Sequence, residues 1–257
     1  MKPRYVPPGR HNVHLHKLIE HFGEVAPQAA SLPSDVSYIF LCFTNRCGSN
    51  YVAELLASSG DYNCAGENLN WDTVVAHSKR LDLNSFQDYF AWLVSKQKKS
   101  GHFFVKADVS QIELLGHAGI LEQVEDRSKF LMIERGDKLG QAISYALSFA
   151  TQRFTSLMAG KKAPEEVEFS RQRIDSILVG IVECYKHFNL YFARNGIVPI
   201  HLIYEHLLAD QDVSARLLGT QLELPDFRFA PEKIRLERQA GPVNAAWREQ
   251  YLSEPFA

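Results

Sequence analysis

The chain has 257 residues, enough for one large α/β domain with appendages, and 46% hydrophobic against 23% charged residues is the balance of a globular protein. A formal net charge of −2 excludes a broad basic footprint for nucleic acid or an anionic membrane, so any anion site must be a local concentration of arginine. No apolar run approaches the roughly 20 residues of a membrane-spanning helix.

The opening residues, MKPRYVPPGRHNVHLH, carry early prolines and no apolar core, so an extended start and no signal peptide are expected. Residues 1–35 read as an N-terminal extension and residues 36–257 as one α/β domain. Val13 to Glu24 suits a short helix. His11, His14, His16 and His21 fall in or beside it, but no cysteine or carboxylate stands in ligand register with them. A histidine-bearing surface helix is the simpler reading, and no metal is expected. The four cysteines, Cys42, Cys47, Cys64 and Cys184, form no CxxC pair and no disulfide scaffold, which points to a reducing, cytoplasmic compartment.

Tyr38 to Phe43 is a short aromatic and aliphatic run bounded by polar residues, the pattern of a buried strand. It breaks into Thr44-Asn45-Arg46-Cys47-Gly48-Ser49-Asn50, after which Tyr51, Val52, Leu55 and Leu56 recur at helical spacing. Gly60 to Asp72 reads as a loop. Ser85 opens a helix with Phe86, Tyr89, Phe90 and Leu93 on one face, which Gly101 stops. His102 to Lys106 is a second strand, and short helices fill Asp108 to Val124. Lys129 to Glu134 is a third strand, followed by a helical pattern from Lys138 to about Leu157. Glu165 to Asn195 is the longest helix, ended by Gly196. Val198 to Ile203 is a fourth strand, with helical segments on either side of Gly219. Strands alternating with helices indicate an α/β protein whose parallel sheet is covered on both faces.

A strand that turns sharply into a helix leaves the first helical N–H groups unpartnered and aimed at one spot, where the helix dipole also favours an anion. Gly48 permits close backbone approach, Thr44 and Ser49 bring hydroxyls, and Arg46 brings a permanent forked cation. The segment lacks the first glycine and the lysine of GxxxxGK[ST], so it suits a phosphorylated nucleotide other than ATP with magnesium. An ordinary strand-to-helix turn with a surface arginine fits the loop as well. Cys47 stands at the helix start, where a thiol pKa tends to fall; a reactive thiol and a small tolerated residue are both open there. Arg135 ends the third strand, Ser144 follows on the next helix, and Lys106 ends the second strand. Arg135 and Lys106 each alone read as a solvated cation at a strand end. Together they fall beyond the carboxyl ends of the strands, where ligands of parallel sheets gather, and form a second anion clamp beside the first.

Five segments carry a resemblance. NRCGSNYVAELLASSG resembles the RSGST…LL…ATG start of the bacterial Stf-type sulfotransferases, the family of trehalose 2-sulfotransferase. FVKADVSQ is similar to that family's GKLMWNQ segment, with Lys106 and Gln111 in register. ERGDKLGQAISYALSFATQRF matches its next segment at Arg135, Asp137, Gln141, Ala142, Ser144, Thr151 and Gln152. GIVPIHLIYEHL and LERQAGPVNAAWREQYLSE resemble the two that follow, the last through Arg238, Gln239, Ala240 and Trp247.

The resemblance implies a P-loop-like three-layer sandwich with a central, mainly parallel sheet flanked by helices. It implies 3′-phosphoadenosine-5′-phosphosulfate (PAPS) as sulfuryl donor and no metal. The 5′-phosphosulfate would lie on Arg46, Cys47, Gly48, Ser49 and Asn50, and the 3′-phosphate on Arg135 and Ser144 with help from Arg238. Arg46, Lys106 and a carboxylate base would carry the transfer. The family's GEPxE segment reads Gly66-Glu67-Asn68-Leu69-Asn70 here, so the glutamate thought to be the base falls on Asn70 and Glu67 is assigned the role. The family's tryptophans fall on Val109 and Phe154, which points to an acceptor other than trehalose: a hydroxyl of a small molecule or a carbohydrate. Family members can dimerise. The alternatives are a non-catalytic chain that binds adenosine bisphosphate and a nucleotide-dependent phosphotransferase.

Overall fold

Four short apolar runs form the sheet in the computed structural model, which describes residues 11–30, 32–64, 66–236 and 241–254. They are β1 (Ser37–Cys42), β2 (His102–Ala107), β3 (Ser128–Glu134) and β4 (Ile200–Ile203), in the order β2-β1-β3-β4 with every pair parallel. Parallel strands need crossovers, and helices supply them. The helices are α1 (Val13–Phe22), α2 (Ser49–Ser58), α3 (Trp71–Leu81), α4 (Phe86–Gln97), α5 (Val109–His117) and α6 (Ile120–Val124). They continue with α7 (Lys138–Thr151), α8 (Arg171–Asn195), α9 (Tyr204–Ala209), α10 (Gln211–Leu222) and α11 (Pro242–Ser253).

Alternation along each strand divides the core in two. Tyr38, Phe40 and Cys42 of β1 pack with Phe103 and Val105 of β2, Phe130 and Met132 of β3, and helices α1, α3 to α8 and α11. Ile39 and Leu41 face the other way, with Phe104, Leu131 and Ile133, onto α2, α9 and α10. The result is the α/β, P-loop-like three-layer sandwich expected. Register places the carboxyl ends together: Cys42 pairs with Ala107 on one side and Met132 on the other. The β1–α2 loop, Lys106 and Arg135 therefore share one rim. No helix among the described residues is long and apolar enough to cross a membrane.

Several boundaries differ from the sequence reading. Helix α3 begins at Trp71, inside the expected loop; Val74 and Ser78 are its only buried residues, too few to give a periodic signal. Helix α7 stops at Thr151, because Gln152 turns left-handed at φ 56° and its N–H closes on the Ser148 carbonyl. Helix α8 starts at Arg171, capped by Ser170, and not at Glu165. Strand β4 starts at Ile200, leaving Val198 92% exposed. Gly219 does not separate two helices but lies within α10, where a Cβ would come within 2.8 Å of the Leu224 carbonyl. His14 is buried instead of surface-facing: its Nδ1 accepts the N–H of Trp71 at 3.1 Å, tying α1 to the start of α3.

Candidate active site

Helix α2 starts from Gly48, which holds φ 95° and has no side chain to cap the first turn. Alanine would not fit there, since a Cβ on Gly48 would lie 2.3 Å from the Tyr204 ring. Arg46, two residues earlier, is also left-handed at φ 64°. The surrounding helices hold this tight loop. Gln141 of α7 donates to Thr44 Oγ1 at 2.8 Å and to the Asn45 carbonyl at 2.7 Å, and Thr44 bonds the Tyr185 hydroxyl of α8 at 3.1 Å.

Arg46 turns its guanidinium toward α7, where Nε donates to Ser144 Oγ at 3.2 Å and Nη1 to the Phe154 carbonyl. Arg135 comes from the end of β3 and lies 5.7 Å above the Tyr204 ring. Its Nε is 3.8 Å from Glu205 Oε1, while the other oxygen of Glu205 accepts the Gly136 N–H at 2.8 Å. Burial pushes the Glu205 carboxyl up, but the backbone N–H groups and Arg135 outweigh it and hold it below the usual range. Burial, and then the neighbouring Arg135, depress the Arg46 pKa. Two cations thus crowd one cleft, an arrangement that favours a bound anion.

The cleft measures about 430 Å³, and Arg46, Gly48, Ser49, Asn50, Glu67, Arg135 and Ser144 all line it. Lys106 sits beneath it and is not a solvated strand end. It is 1% exposed on the α2 face of β2, with Nζ bonded to Asn50 Oδ1 and 3.7 Å from Glu67 Oε1. Burial lowers the Lys106 pKa and the Glu67 charge opposes the fall. Glu67 accepts a hydrogen bond on Oε2 from Asn70 Nδ2 at 2.9 Å, and Asn70 Oδ1 accepts one from Gln111 Nε2 at 2.8 Å.

Cys47 does not join this group. Its side chain is fully buried in the α2-side core, its N–H closes the loop onto the Thr44 carbonyl at 3.3 Å, and burial pushes its thiol pKa up, against the expectation from the helix start. Arg238 lies outside the described residues. Among the lining residues that sequence reasoning missed are Tyr204, Asn244 and Arg248. Tyr204 had a signal, as the tyrosine that closes the GIVPIHLIY segment. Arg248 stands beside Trp247 in the last of the resembling segments, but its partner had no signal; the packing of α11 brings its Nη1 to Asp137, at 2.8 and 2.9 Å from the two carboxylate oxygens.

Residues 93–254 match the family described as Stf0 sulphotransferase. The chain belongs to this family. The match opens within α4 and closes at the end of α11, so Lys106, Arg135 and Ser144 fall inside it, whereas the β1–α2 loop and Glu67 of this Stf0 chain precede it. The chain is also similar to a solved sulfotransferase from Alicyclobacillus acidocaldarius, at 14% identity and a TM-score of 0.44 over 82% of this chain and 88% of that one. No curated protein matches it.

Proposed function

We propose that this Stf0 chain moves a sulfuryl group from PAPS to a hydroxyl of a small molecule or carbohydrate. The observation that carries the reading is the convergence of Arg46 and Arg135 on one cleft, at the uncapped start of α2. PAPS is anionic at both ends, and two cationic clamps on one rim suit it. The first-turn amides of α2, with Arg46, Ser49 and Asn50, take the 5′-phosphosulfate. Arg135 and Ser144 take the 3′-phosphate, each planar guanidinium offering paired donors to a phosphate.

In the transfer, the bond from sulfur to the bridging oxygen of the donor breaks as the acceptor oxygen bonds to sulfur. The acceptor proton passes to Glu67, which lines the same cleft. Adenosine 3′,5′-bisphosphate leaves, and Lys106 with Arg46 stabilises the charge that grows on its 5′-phosphate. Such loose transfers depend on positioning and on prearranged charge, and Lys106 supplies the latter from a buried site. The four free cysteines support a reducing, cytoplasmic setting. Helix α1 serves as a brace on the domain, with His14 holding the start of α3.

A screen with radiolabelled PAPS against sugars, phenols and lipid alcohols tests the reaction. Label should move to at least one class, and Glu67→Gln should abolish transfer while sparing adenosine 3′,5′-bisphosphate binding. Full transfer by Glu67→Gln would remove that residue as the base.

A further inference from the structure

We infer that Asn70 and Gln111 are positioning residues that hold Glu67 in the cleft with an accepting oxygen turned to them. The inference rests on Glu67 being the base proposed above. Glu67 needs such help. Its side chain is 53% exposed on a connecting segment, and a glutamate so placed would spread over many rotamers.

The polarity of the relay is fixed from one end. A side-chain amide can present either its oxygen or its nitrogen, but a backbone N–H can only donate. The Asp108 N–H points at Gln111 at 2.9 Å, so Gln111 turns Oε1 toward it and Nε2 away. Nε2 then donates to Asn70 at 2.8 Å, which obliges Asn70 to present Oδ1 there and Nδ2 on its other side. Nδ2 donates to Glu67 Oε2 at 2.9 Å, so Glu67 must present an accepting oxygen, the state in which a base takes a proton. The Lys106 Nζ, 3.7 Å from Oε1, holds the carboxylate from its other side.

The anchor of the relay is rigid. Gln111 is 2% exposed in the first turn of α5; its side-chain Oε1 accepts the Asp108 N–H and its backbone N–H donates to Asp108 Oδ1, at 2.9 Å each. Asn70 stands at the N-cap of α3, and the N–H of the next residue is held by His14.

Asn70→Asp and Gln111→Glu keep the shape of each side chain and, at Gln111, the oxygen that accepts the Asp108 N–H; they replace the donated hydrogen bond with a carboxylate, whose charge in Asn70→Asp also repels Glu67. The readout is sulfate released from radiolabelled PAPS with water as acceptor, so that no acceptor need be known, together with calorimetry of adenosine 3′,5′-bisphosphate and thermal melts. Each substitution should lower kcat about 10- to 100-fold, the change that follows from losing a hydrogen bond to a charged group. The KM for PAPS, bisphosphate affinity and melting temperature should hold. If Glu67→Gln abolishes release while Asn70→Asp and Gln111→Glu keep full kcat, the relay is overturned and the base assignment stands. Full release by Glu67→Gln, or none by the unaltered chain, removes the base assignment and the relay with it.

Discussion

Arg135 donates from Nη1 to the main-chain carbonyl of Arg46 at 3.3 Å, so the cation at the end of β3 helps to hold the backbone that carries the cation after β1. The two therefore act as one unit. Arg46 is held in a left-handed conformation at φ 64°, which costs about 1–2 kcal/mol for a residue with a side chain, and its neighbours must supply that.

Gly48 is the backbone position on which the loop depends. Gly48→Ala adds a left-handed cost of about 1–2 kcal/mol. It also adds an overpacking cost of about 1–3 kcal/mol, since the new Cβ would lie 2.3 Å from the Tyr204 ring. Urea unfolding should show a destabilisation near the sum, and calorimetry should show loss of adenosine 3′,5′-bisphosphate binding. Tyr204→Ala in the same chain should recover the packing part only.

Lys106 trades stability for function. Its folded-state pKa is depressed by burial below the ordinary 10.5, with Glu67 opposing the fall. Between the folded and unfolded values the unfolded chain binds more protons, so stability rises with pH through that window and is lowest once both states are protonated. Lys106→Met should raise stability at neutral pH, flatten its rise toward alkaline pH, and abolish transfer. Urea unfolding at neutral and alkaline pH checks the slope. A variant less stable than the parent at neutral pH would show that the lysine holds the fold together.

Asp137 fastens α11 over the cleft. Burial pushes its carboxyl up, but Arg248 and the Gly140 N–H outweigh this and hold it below the ordinary 3.8. A depressed acid stabilises the fold above its unfolded pKa and loses that contribution as pH falls through the folded value. The Asp137 and Arg248 side chains are 37% and 45% exposed, so the pair should contribute less than about 1 kcal/mol in water. Asp137→Asn, which still caps α7, should unfold in urea with a shallower loss than the parent between neutral pH and about pH 3. An equal slope in both chains would deny the Arg248 pair any role.

The strands were legible because runs buried on both faces read as near-continuous apolar stretches, and the sheet order then brought the loop and Arg135 to one rim. Lys106 was legible as a cation at a strand end but not as a buried one, since its burial depends on α2 closing over the face of β2 that Phe104 and Lys106 share. Helix α3 was not legible, with two buried positions in eleven residues. Asn70 and Glu67 stand three apart in the sequence and their meeting is local. That Gln111 meets Asn70, and that Arg248 reaches Asp137, are products of packing between distant segments with no local signal.

The central claim, that one cleft grips a nucleotide by phosphates at both ends, is tested most directly by calorimetry with adenosine 3′,5′-bisphosphate, with and without magnesium. Tight binding that is indifferent to magnesium and abolished by Arg135→Ala is the predicted result. No binding, or binding that Arg135→Ala leaves unchanged, would contradict it.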